Sequence, residues 1–164
     1  MASTSLNNFQ QAAPHGKLTQ VPGLCRKIIG DAVATRQLLP EESGALCLLD
    51  RAAGVVYTLP TPVAGMQFEF LQTVTITAAS AKVITKTPAS EFILGQINLQ
   101  IAASATTLAA AFDGSSHVAI TSNGSTTGGV IGSRFKLTAL SSTQWAIEGV
   151  VAGSGSIATP AATS

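Results

Sequence analysis

Arg134-Phe135-Lys136-Leu137-Thr138-Ala139-Leu140 and Gln144-Trp145-Ala146-Ile147-Glu148-Gly149-Val150 decide how this chain is read. In the first run, Phe135, Leu137 and Ala139 alternate with Arg134, Lys136 and Thr138. In the second, Trp145 and Ile147 share one side. A period of two places alternate side chains on opposite faces of a strand. The polar residues between the runs, Ser141 to Gln144, supply a turn, so the two predict a hairpin with one apolar face.

The same phrase recurs upstream. Met66-Gln67-Phe68-Glu69-Phe70 alternates in register, which puts Met66, Phe68 and Phe70 on one face. Ala45–Leu49 and Val55–Leu59 flank the turn Arg51-Ala52-Ala53-Gly54 and predict a second hairpin. Leu59-Pro60-Thr61-Pro62 ends it, because proline cannot donate to a ladder. Ala32–Leu39, Val74–Ile76, Val83-Ile84, Phe92–Leu94, Ile97–Ile101 and His117–Thr121 read as further strands, with Gly95 splitting the fourth from the fifth. Thr106 to Phe112, rich in alanine, reads as one helical turn or a loop. Asp113-Gly114 and Asn123-Gly124 are turn signals. No long amphipathic helix competes, and no repeat of fixed period argues for a solenoid. The expected fold is all-β: a sandwich or barrel-like body of about nine to eleven short strands.

Two segments depart from this pattern. Residues 1–32 carry Pro14, Pro22, Gly16, Gly23 and Gly30 without periodicity, and read as an extended N-terminal arm. Leu24-Cys25 and Ile28-Ile29 would pin it, beside a small positive cluster of Lys17, Arg26 and Lys27. Leu24, Arg26, Lys27, Ile28 and Ile29 are therefore the expected partner-binding residues. From residue 152 to 164 the composition is Gly, Ser, Ala and Thr, that of a flexible tail. The body spans 33–151.

Composition limits the function classes. The 164 residues are 46% hydrophobic but only 10% charged, against about 25% charged in an ordinary domain. A net charge of +1 offers no electrostatic footprint for nucleic acid or for an anionic membrane. No apolar stretch approaches the roughly 20 residues of a membrane helix. The N-terminus lacks the basic and apolar regions of a signal peptide. Cys25 and Cys47 form neither a disulfide framework nor a zinc signature. Cys47, inside Ala45–Leu49, reads as a small buried hydrophobe, and free thiols fit synthesis in a reducing cytoplasm.

No catalytic set is legible. The histidines are His15 and His117. Asp113 and Ser115 lie near His117 but on a turn, where such residues cap backbone groups. The acids are scattered, and the pair Glu41-Glu42 reads as a solvated turn after Pro40. No phosphate loop is present. The expectation is a non-enzyme without metal or cofactor. Trp145 is expected in the core. A charge-poor β-body needs its edges covered, which favours a homo-oligomer, with a trimer expected.

Gly44 to Phe70, in which Leu59-Pro60 precedes Gly65 and an aromatic strand, resembles small structural proteins of tailed bacteriophages. The closing phrase Phe135–Leu140 with Gln144–Gly149 is similar to their last hairpin. The family so indicated is that of the β-rich head decoration, or cement, proteins. The resemblance implies a structural virion protein on the capsid surface, often trimeric. Its arm would bind the major capsid protein lattice and stabilise the head. The alternative is a tail-fibre or receptor-binding β-module that recognises a host surface glycan; it would expose aromatic side chains.

Overall fold

The computed structural model describes residues 26–30, 33–78, 81–101 and 106–164. Within them the protein is all-β. The strands are β1 (Ile28–Ile29), β2 (Thr35–Gln37), β3 (Leu46–Leu49), β4 (Val56–Thr58), β5 (Gln67–Gln72) and β6 (Ala81–Ile84). They continue with β7 (Phe92–Ile101), β8 (Thr107–Asp113), β9 (Ala119–Ser122), β10 (Arg134–Ala139), β11 (Gln144–Gly153) and β12 (Ala161–Ala162). A seven-stranded sheet, β1-β3-β5-β10-β11-β7-β8, packs on a five-stranded sheet, β12-β9-β6-β4-β2. Pro40–Glu42 forms a single 3-10 turn.

The predicted hairpin Arg134–Val150 is present, with Leu137 opposite Ile147 and Ala139 opposite Trp145. Its apolar face, together with that of β5, forms the core. Phe68, Phe70, Phe135, Leu137, Trp145 and Ile147 are all buried. Phe70 stacks on Phe135 with centroids 5.1 Å apart, and Tyr57 meets Phe70 edge-on at 5.6 Å. Cys47 is fully buried, as a small hydrophobe in an apolar run should be.

The N-terminal half departs from the hairpin expectation. β3 and β4 do not pair; they lie in opposite sheets, and the turn between them crosses the sandwich. From β1 to β6 the chain changes sheet at every strand. β1, β3 and β5 therefore run parallel in one sheet and β2, β4 and β6 parallel in the other. This is a short coil, which the absence of a fixed repeat had argued against. The coils are unequal in length, so no period betrays them. The reason is burial: Cys47 and Leu49 of β3 and Tyr57 of β4 are all apolar and face the space between the sheets. Stacking the two strands face to face buries both sets, where an edge-to-edge hairpin would bury one face only. The Tyr57 hydroxyl donates to the Leu48 carbonyl at 2.9 Å across that space.

Several boundaries also differ. β2 is shorter than the run Ala32–Leu39. Val74–Ile76 is not a strand; Ile76 is buried in a loop, where its N–H donates to the Gly129 carbonyl. Gly95 does not split β7. It lies opposite Ile147 with φ +124°, and a Cβ there would land on the Ile147 carbonyl oxygen. The glycine lets two ten-residue strands approach closely. Thr106 to Phe112, expected as a helical turn or loop, falls almost wholly in strand β8, Thr107–Asp113, which runs along β7. Ladder pairing overrides the helical preference of its alanines. His117–Thr121 becomes Ala119–Ser122. The segment from Ala152 is held at both ends: Ala152 and Gly153 complete β11, and Ala161–Ala162 adds to β9.

Candidate functional site

Four of the five expected partner-binding residues lie along one edge of the seven-stranded sheet. Leu24, with Cys25, lies outside the described residues. Arg26, Lys27, Ile28 and Ile29 enter beside β3, where the Leu46 N–H donates to the Lys27 carbonyl at 2.9 Å. Ile29 is 3% exposed and belongs to the core, whereas its neighbour Ile28 is 62% exposed. One side chain of β1 anchors the segment and the other remains available.

Both charges of this segment are engaged by the body. Arg26 donates to the Gly44 carbonyl at 2.7 Å and the Ala45 carbonyl at 3.0 Å, and pairs with Glu69. Glu69 also receives Arg134 from the neighbouring strand, so it lies between two guanidinium groups. Lys27 Nζ donates to Glu42 at 2.8 Å, Arg36 donates to the same oxygen at 2.9 Å, and the Leu39 N–H binds the other oxygen at 3.0 Å. The expectation for Glu41-Glu42 is thus corrected in half. Glu41 is exposed, but Glu42 is buried, because the 3-10 turn points it inward at two cations.

The electrostatics follow from these contacts. Burial alone would raise the Glu42 pKa; the hydrogen bonds from Lys27, Leu39 and Arg36 outweigh it and hold the carboxyl below its ordinary value. The Arg134 hydrogen bond, against some desolvation and with help from Arg26, does the same for Glu69. Burial, with the Glu42 charge adding to it, pushes the Cys47 thiol up to about 12.

Sequence reading did not include Glu69, Arg134, Lys136 and Glu148 in the site. They form a row across the outer face of β5, β10 and β11, with Lys136 and Glu148 at 2.9 Å. A shallow depression of about 410 Å³ lies among them, lined also by Phe135, Gly149 and Val150. Leu46, Leu48 and Leu71 are half-buried on the same sheet, and Val150 is 49% exposed. The signal was the polar side of the alternating runs, which marks solvent-facing positions without showing which strands adjoin.

The Asp113 region is a turn. Its Oδ1 accepts the N–H groups of Ser115 at 2.9 Å, Ser116 at 2.8 Å and His117 at 3.2 Å, and Oδ2 accepts the Ser116 hydroxyl. The Ser116 hydroxyl and then these N–H groups hold the Asp113 carboxyl far below the usual carboxylate range. His117 Nδ1 is taken by the Asp113 N–H at 3.1 Å. Ser115 thus contributes its backbone N–H to the carboxylate and Ser116 its hydroxyl, as residues of a capped turn do. Among the described residues, no three His, Cys, Asp or Glu side chains gather as metal ligands, and no helix is long and apolar enough to cross a membrane.

No protein-family model matches the chain, and neither a curated protein nor a solved structure matches it.

Proposed function

We propose that this chain is a structural virion protein: a head decoration protein that binds the major capsid protein lattice of a tailed bacteriophage and stabilises the head. The observation that supports it is the clamped edge. Arg26 and Lys27 are tied to Glu69 and Glu42, which fixes this point of the chain beside an outer sheet face. That face combines Ile28, Leu46, Leu48, Leu71 and Val150 with a few charges. A segment launched from such a point adds to a partner through main-chain hydrogen bonds, and a half-apolar face beside it suits burial against protein.

The glycan-binding alternative has less support. Tyr57 and Trp145, the aromatics best suited to stack on a sugar ring, are fully buried. Cosedimentation with phage heads lacking this protein tests the proposal. The full chain should pellet with heads, and a chain beginning at Arg26 should fold but stay in the supernatant. A full chain that never pellets with heads overturns the reading.

A further inference from the structure

We propose that β8 is a self-association edge, along which a second copy of this chain adds antiparallel about a two-fold axis. Four strands end the two sheets. β1 and β12 have two residues each; Arg26 and Lys27 precede one and Pro160 the other. β2 has three residues and carries Arg36. Short length, charge and proline are the usual protections of an edge. β8 is neither short nor interrupted by proline, and its one charge, Asp113, is its last residue. It runs seven residues, and from Thr107 to Phe112 it contains no charge and no proline.

The ladder shows which groups are open. Ile101 N–H bonds to the Thr106 carbonyl and Gly114 N–H to the Ile93 carbonyl. In the β7–β8 register, Leu108, Ala110 and Phe112 therefore face β7, and Thr107, Ala109 and Ala111 direct their N–H and C=O groups away from it. The Asp113 N–H is already taken by His117. Three consecutive outward pairs remain, ending at a natural stop.

A second copy fits this edge better than a charged segment does. Centring the pair on Ala109 places Ala109 opposite its own counterpart and Thr107 opposite Ala111, so all three outward positions are matched. The one charge of the strand, Asp113, then falls at the two far ends, and no like charges meet. The outward side chains are small, and β7 beside them shows only Gln96, Asn98 and Gln100 on the outer face, again without charge. The product is a continuous sheet through both copies and a closed dimer, in place of the expected trimer.

Charge placed at the centre of the pair tests this. Directly opposed like charges across a ladder repel and opposite charges attract. Wild-type protein should sediment as a dimer at micromolar concentration. Ala109→Lys and Ala109→Glu should each sediment as monomers with an unchanged circular dichroism spectrum, and an equimolar mixture should recover the dimer. A wild-type monomer, an oligomer that both variants leave intact, or a mixture that does not recombine would each overturn the pairing. Amide exchange on the wild type gives a readout that needs no variant. Ala109 and Ala111 amides should exchange more slowly as concentration rises; exchange independent of concentration sinks the idea. The pairing needs no capsid, so its failure leaves attachment through the clamped edge standing, and loss of capsid binding leaves the pairing standing.

Discussion

Lys27 and Glu42 meet at 2.8 Å, the ammonium half exposed and the carboxylate almost wholly buried. With Arg36 on the same carboxylate, this contact joins three pieces of chain: the N-terminal segment, β2 and the 3-10 turn. A buried carboxylate is tolerated here because two cations and a backbone N–H compensate its lost hydration.

Stability should therefore fall in acid. The folded-state pKa of Glu42, and that of Glu69, lies below the ordinary value of 4.5. A depressed carboxyl stabilises the fold fully above its unfolded pKa, and that contribution is lost as pH drops through the folded value. Glu42→Gln should cost about 1–3 kcal/mol at neutral pH, the usual scale for a buried charged hydrogen bond. Denaturant midpoints of the two proteins, followed from about pH 6 to pH 3, should converge at the acid end. A gap that persists in acid would mean that the glutamate acts by shape and not by charge.

Adjacent isoleucines in β1 should behave differently. Ile29→Ala removes a core side chain and should cost about 2–4 kcal/mol. Ile28→Ala, at an exposed position, should stay within about 0.5 kcal/mol. Thermal melts of both variants check this. A truncation that removes residues 1–32 should be destabilised as well, because it takes Ile29 and both clamps with it.

Gly95 and Gly44 both have positive φ, but only Gly95 is crowded. Gly44→Ala meets nothing within 4 Å and should cost about 1–2 kcal/mol from the backbone alone. Gly95→Ala must also push aside the backbone of β11 at Ile147, and should cost more, on the order of 3 kcal/mol or above. Equal denaturation midpoints for the two variants would show that β7 and β11 can move apart cheaply.

Trp145 is the one tryptophan of the chain, and it is fully buried against Phe68. Trp145→Ala should cost about 3–5 kcal/mol. Trp145→Phe keeps a ring and gives up an indole N–H that has no hydrogen-bond partner among the described residues, so it should keep most of the stability. Emission of the native protein should lie at short wavelength and move to long wavelength on denaturation.

Cys47 should be inert to thiol reagents in the native state. Burial holds its thiol near a pKa of about 12, so almost no thiolate exists at neutral pH. In a Cys25→Ser variant, a coloured disulfide reagent should titrate no rapid thiol before denaturation and one afterwards.

Strand identity along β5, β10 and β11 was legible in the chain because those runs alternate strictly, and each has one apolar face to bury. Phe68, Phe70, Phe135, Leu137, Trp145 and Ile147 follow from that alone. The turns at Asp113-Gly114 and Asn123-Gly124 were legible for a local reason too: a carboxylate or amide oxygen caps the backbone N–H groups that follow it. Pairing was legible for the β10–β11 hairpin, where a short polar turn joins two strictly alternating runs, and not in the N-terminal half. A four-residue turn between two apolar runs serves a hairpin and a crossing between sheets equally well, and only the combined burial of Cys47, Leu49 and Tyr57 selected the crossing. Alanine-rich β8 became a strand because β7 offered it a ladder. The site divides in the same way. The cations Arg26 and Lys27 stand together in the sequence, but Glu69 is 43 residues from one and Glu42 15 residues from the other. Local pattern sets which face of a strand is apolar, since that depends on a residue's own neighbours. Which strand lies next to which depends on burying all the faces at once, and only the folded chain decides that.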